Sequence, residues 1–215
     1  MMANKKIGII GAGRLGVALA RLLQTAGYEV DIANSGDKTT LDLTLRVLLP
    51  GVHAKAINEL VRDNEWIILA LPFGRYKKLD ASLFSAKVII DATNYWEPTE
   101  GKIDELASSG LSSSEFLRQY FVDAHVIKTF NHIAYSELWE DSMLNVAAEA
   151  RAVAFTADDV VLRQAAAKFI QNLGFEPVDF GSLANGKHFQ PDTMLFNSRL
   201  SAAEMNYHKN KIMQS

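Results

Sequence analysis

The chain contains no cysteine, which excludes disulfides, thiolate metal sites and thiol catalysis. Any redox chemistry must then come from a bound cofactor. Proline is scarce, at five in 215 residues, and 48% of the residues are hydrophobic, so the chain can bury a full core and needs no disordered class. Neither sign of charge dominates. Lys and Arg number 22 against 25 Asp and Glu, with no long basic cluster, so nucleic acid is not an expected partner. Long apolar runs are missing as well, and without about 18 consecutive uncharged apolar residues no membrane span is expected. The opening Met-Met-Ala-Asn-Lys-Lys superficially resembles the start of a secretory signal. Arg14 interrupts the apolar run that follows, and the glycine spacing suits a phosphate turn better than a cleavage site, so the expected location is the cytoplasm.

What the sequence does have is an apolar run, Lys6-Ile-Gly-Ile-Ile, leading directly into Gly11-Ala-Gly13-Arg-Leu-Gly16 and then a helix-like segment. Gly-x-Gly-x-x-Gly alone is weak evidence, but between a strand and a helix it marks a dinucleotide turn. Gly11 serves the tight turn, Gly13 lets the backbone approach a pyrophosphate, and Gly16 allows close packing of the helix on the strand. The helix then starts with free N–H groups and its positive dipole end toward the phosphates. Ala12, Arg14 and Leu15 complete the expected phosphate contact.

Short apolar runs alternate with helix-period segments along the chain, which predicts a Rossmann-type doubly wound α/β fold with a mostly parallel sheet. Strands are expected at 6–10, 29–33, 66–70, 88–91, 125–129 and 152–155, with another near 176–180. Helices are expected at 16–25, 38–48, 56–62 and 160–173, and a helix start at 114–119. Residues 1–193 read as the dinucleotide-binding domain, and 194–215 as a short C-terminal helical tail. The tail carries Leu195, Phe196, Leu200, Met205, Tyr207 and Ile212 at helix-like spacing. Such a stripe serves equally for docking on its own domain or on a second copy in a homodimer.

In dinucleotide folds the loop after the second strand selects the cofactor, because a carboxylate there binds the ribose 2′-hydroxyl of NAD and repels the 2′-phosphate of NADP. Here that loop reads Asn34-Ser35-Gly36-Asp37-Lys38. Ser35 and Lys38 suit a phosphate, whereas Asp37 suits NAD or simply caps the next helix. NADP is the expected cofactor, with NAD the alternative. Two later strand ends fall at the edge where open parallel sheets bind ligands. Leu71-Pro72-Phe73 is expected to form an apolar wall, and Ala92-Thr93-Asn94 to hold a ribose or carboxamide. Further on, Asn131 is a candidate for orienting a nicotinamide or carbonyl. His132 is a candidate proton donor, with an ordinary structural histidine as the alternative.

These pieces together resemble the coenzyme F-420-dependent NADP oxidoreductase family and the cytosolic NADPH-binding domain of transmembrane metalloreductases. The resemblance runs over nearly the whole chain and is carried by 7–16, 32–35, 68–72, Val88-Ile-Ile-Asp-Ala-Thr-Asn94, Val126-Ile-Lys-Thr-Phe-Asn131 and 173–181. It implies a reductase passing hydride between NADP(H) and a flavin or deazaflavin as small-molecule acceptor. In that family an arginine follows the serine after the second strand and helps hold the 2′-phosphate; this chain has Gly36 there. Hydride transfer between stacked rings depends on positioning more than on acid–base groups, so Asn131 and His132 are expected to face the second ring. A redox-sensing module that binds without turnover is one alternative. A small hydroxy-acid or amino-acid dehydrogenase is another.

Overall fold

The computed structural model describes residues 5–36, 38–143 and 150–214. In chain order the elements are β1 (Lys6–Ile10), α1 (Arg14–Thr25), β2 (Glu29–Ala33), α2 (Lys38–Leu48), β3 (His53–Ala54) and α3 (Ile57–Asp63). Then come β4 (Trp66–Leu69), β5 (Val88–Asp91), α4 (Glu97–Glu100), α5 (Asp104–Ser109), α6 (Ser113–Tyr120) and β6 (His125–Thr129). The last are α7 (Glu137–Met143), β7 (Ala152–Thr156), α8 (Val160–Asn172), β8 (Glu176–Asp179) and α9 (Ala202–Gln214). Short 3-10 turns lie at Phe73–Lys78, Ala81–Phe84 and Leu183–Phe189.

One sheet results, in the order β3-β2-β1-β4-β5-β6-β7-β8. Its pairs are parallel except β6 with β7, where Lys128 faces Thr156 and Thr129 faces Phe155 in antiparallel register. The fold class expected from the alternating apolar runs is therefore present. Apolar strand residues form it because each face is covered. Ile7, Ile9 and Ile68 project into one cluster with Leu19, Leu23 and Phe169, while Ile10, Ile67 and Leu69 project into the other with Phe73, Phe84 and Phe121.

Helix boundaries follow local chemistry. Ser112 caps α6 by accepting from the Glu115 N–H while the Glu115 carboxylate accepts from the Ser112 N–H. Asp159 caps α8 by accepting from the Leu162 N–H. The cap expected from Asp37 lies outside the described residues. The tail docks on its own sheet. Met205 of α9 and Leu195 are fully buried against Ala152, Ala154, Val178 and Phe180 of the β7–β8 end.

Phe169 of α8 is the hub of the larger cluster, with ring centroids 5.8 Å from Tyr28, 5.6 Å from Trp66 and 6.3 Å from Phe130. Phe169→Ala should lower the unfolding free energy by about 3–5 kcal/mol, read from urea denaturation. A loss under about 1 kcal/mol would show that α8 is not held by this ring.

Candidate functional site

The turn after β1 is built by backbone contact. Gly11 has φ +121°, and a Cβ there would lie 2.1 Å from the Ala70 carbonyl oxygen, so only glycine permits β1 to pass so close to the end of β4. A Cβ on Gly16 would lie 1.8 Å from the Gly11 carbonyl oxygen, which is how closely α1 returns over the turn. Gly13 differs from both. Nothing lies within 4 Å of its Cβ position, and it is the exposed N-cap of α1 with no side chain capping the helix. No side chain therefore satisfies the first-turn amides, the arrangement that suits a diphosphate. The Arg14 guanidinium is turned aside, donating to the Tyr135 hydroxyl at 3.2 Å.

Beside this turn runs a cleft of about 450 Å³. Its lining includes Gly11, Ala12 and Gly13, then Asn34 and Ser35 after β2, Ile57 of α3, Leu71 and Pro72 after β4, and Arg75, Lys78 and Leu79 beyond. Asn34 folds back, its side-chain oxygen accepting from the Gly36 N–H at 2.9 Å, which leaves the exposed Ser35 hydroxyl on the cleft. Lys38 is not among the lining residues. Its ammonium is paired with Glu59 of α3 at 3.0 Å. The Phe73 ring is not a cleft wall either. It is fully buried against Tyr76 and Tyr95, with centroids 5.2 and 5.7 Å away, because the backbone after Pro72 turns into a 3-10 helix that points it inward. Leu71 and Pro72 form the apolar wall instead.

At the ends of β5 and β6 the polar residues hold one another. The Asp91 carboxylate accepts from the Thr93 hydroxyl at 2.6 Å, the Ser114 hydroxyl at 2.6 Å and the Lys128 ammonium at 3.2 Å, all buried. Lys128 also donates to the Thr93 carbonyl at 2.5 Å. Burial lowers the Lys128 pKa, and the neighbouring Asp91 charge opposes that fall. Three residues on, Asn94 donates to the Asn131 carbonyl at 2.7 Å while Asn131 donates to the Asn94 side-chain oxygen at 3.1 Å. The Asp-Ala-Thr-Asn and Lys-Thr-Phe-Asn segments are thus joined at both ends, Asp91 with Lys128 and Asn94 with Asn131. Ala92 and Thr93 are buried in this frame, and Asn94 is half-buried at its rim.

His132 does not reach the cleft. Its ring is fully buried beside Phe189, and Nε2 accepts the Ala154 N–H of β7 at 3.1 Å. Burial, with smaller contributions from the positive charges of Arg151 and Lys128, lowers its pKa to about 3. The ring is neutral and structural, which corrects the proton-donor expectation.

Residues 6–95 match the family model described as "NADP oxidoreductase coenzyme F420-dependent". The match covers 90 of the 215 residues and is a likeness over that segment. The matched segment runs from β1 to just past Asn94, and so includes the glycine turn, the Ser35 loop, Pro72 and Asp91. Lys128 and Asn131 lie beyond it. The chain is also 27% identical over 188 residues, 86% of its length, to Metalloreductase STEAP3 of Rattus norvegicus. It spans about a third of the length of that relative, 36%. Among solved structures, a hypothetical protein from Sinorhizobium meliloti superposes with TM-score 0.77 at 26% identity, over 91% of this chain and 95% of that one. A candidate F420-dependent NADP-reductase from Arthrobacter sp. shares the fold, with TM-score 0.68 at 21% identity over 82% and 84%.

Folded, His132 stays unprotonated down to about pH 3, whereas in the unfolded chain it gains a proton below about 6.5. The unfolded state then binds more protons, so stability is kept above about pH 6.5 and falls toward pH 3, approaching about 1.4 kcal/mol per pH unit for this one group. Urea midpoints measured from pH 7.5 to 5 should drop more steeply for the wild type than for His132→Gln. Parallel slopes would contradict the burial of a neutral ring.

Proposed function

We propose that this chain is an NAD(P)H-dependent oxidoreductase that passes hydride between NADP(H) and a flavin, deazaflavin or similar small-molecule acceptor. The observation that carries the reading is the uncapped start of α1 with open space at Gly13, facing a cleft that continues to Ser35 and Pro72. These residues fit a dinucleotide. The amides of residues 12–16 would hold the diphosphate, Ser35 the adenosine ribose end, and Leu71 and Pro72 the apolar wall. The Asn94–Asn131 pair would frame the nicotinamide side.

When bound, NADPH supplies the hydride. This chain's own residues bind, orient and exclude water. Among the described residues lining the cleft there is no carboxylate and no imidazole, and His132 is committed to the Ala154 amide. That favours transfer to a ring acceptor that needs stacking and alignment, rather than reduction of a carbonyl that needs a positioned acid. The Asn94–Asn131 pair gives the alignment a rigid edge, because each side chain is held by the other strand.

Gly13→Asp places a carboxylate in the open space where the phosphates would lie, at a backbone with φ −77° that any residue adopts. The variant should keep its circular dichroism spectrum and lose NADPH binding by about a hundredfold or more in fluorescence titration; retained tight binding would sink the site. Steady NADPH oxidation with flavin, deazaflavin or ferric chelates is the expected activity of the wild type. Binding without turnover on any of them would point to a redox sensor instead.

A further inference from the structure

A 2′-phosphate carries close to two negative charges, and the loop after β2 offers little to meet them. Gly36 has no side chain, Asn34 turns its oxygen back to the Gly36 amide, and Lys38 is neutralised by Glu59 at 3.0 Å. Ser35 contributes a hydroxyl only. The positive charge on this cleft comes from the opposite wall. Arg75 and Lys78 both line it, both are exposed, and neither has an ion-pair or hydrogen-bonding side-chain partner among the described residues. With no acidic side chain among the described lining residues, their charge is left uncompensated there.

Their spacing explains how both reach the same surface. Residues Phe73–Lys78 form a 3-10 turn, in which positions three apart eclipse. Phe73, Tyr76 and Leu79 accordingly share the buried side, while Arg75 and Lys78 share another. The turn is held firmly at its start, where the Glu100 carboxylate accepts from the Phe73 and Gly74 N–H groups, each at 2.8 Å. Lys77, between them, is directed elsewhere, its ammonium lying 5.6 Å from the Phe116 ring centroid.

We propose that Arg75 and Lys78 are the specificity-determining residues for NADPH, supplying from the turn after β4 the cations that grip its 2′-phosphate together with Ser35. This rests on the dinucleotide reading above and adds to it which residues distinguish NADPH from NADH. The guanidinium suits the phosphate by paired donors, and the ammonium by a compact charge.

Isothermal titration with NADPH and NADH tests it, on the wild type, Arg75→Ala/Lys78→Ala and Lys77→Ala. The wild type should prefer NADPH. The double variant should weaken NADPH by about tenfold or more, with NADH changed less than about twofold, while Lys77→Ala leaves both unchanged. Equal loss for the two cofactors, no loss for either, or a wild-type preference for NADH would overturn the assignment and leave the dinucleotide site standing. A wild type that binds neither would overturn the dinucleotide reading itself. Both substituted side chains are exposed, so unfolding is not expected, and unchanged circular dichroism verifies it.

Discussion

Backbone touching backbone is the constraint on which this structure turns. The carbonyl of Gly11 sits where a Cβ of Gly16 would be, and the carbonyl of Ala70 where a Cβ of Gly11 would be. These two contacts fix how close α1 comes to β1 and how close β1 comes to the end of β4. A methyl group at either place would force the strand-to-helix turn outward. The amides of the α1 start would then no longer border the cleft shared with Ser35 and Pro72. The middle glycine of the motif, Gly13, carries no such packing demand, and its position opens on the cleft.

A second constraint acts further along the same sheet edge. Removing the Lys128 ammonium and the Asp91 carboxylate from water is costly, and here the cost is offset by Ser114, Thr93 and the Thr93 carbonyl, all within hydrogen-bonding distance. The result is a frame that sets where β5 ends relative to β6. The Asn94–Asn131 pair continues that frame outward. Residues that the sequence offers as ligand-facing thus spend much of their hydrogen-bonding capacity on one another.

The architecture was legible because a doubly covered strand writes itself as an uninterrupted apolar run, as Trp66–Leu69 and residues 88–90 do. Direction is not written there. Ala152–Thr156 reads the same whether it runs with β6 or against it, and only the register of Lys128 with Thr156 reveals the reversal. The two-residue β3 is too short to leave a period. Within the site, the glycine turn was legible because each position has a distinct steric demand. The orientations of Phe73 and Lys38 were not legible, for a common reason. Where they point depends on a 3-10 turn and on a partner 21 residues away, Glu59, and neither leaves a local pattern. That Arg75 and Lys78 share a cleft face was not legible either, because a period of three over six residues is hard to tell from a charged loop, though the recurrence of apolar side chains at 73, 76 and 79 was the available clue.

The two margins of the sheet have a consequence for how copies of this chain can meet. At one margin β3 offers only His53 and Ala54 to a neighbouring ladder. At the other, β8 carries Pro177, which has no amide hydrogen to donate. Neither rim is a good template for another chain to extend the sheet, so a long parallel core is exposed to little risk of edge-to-edge polymerisation.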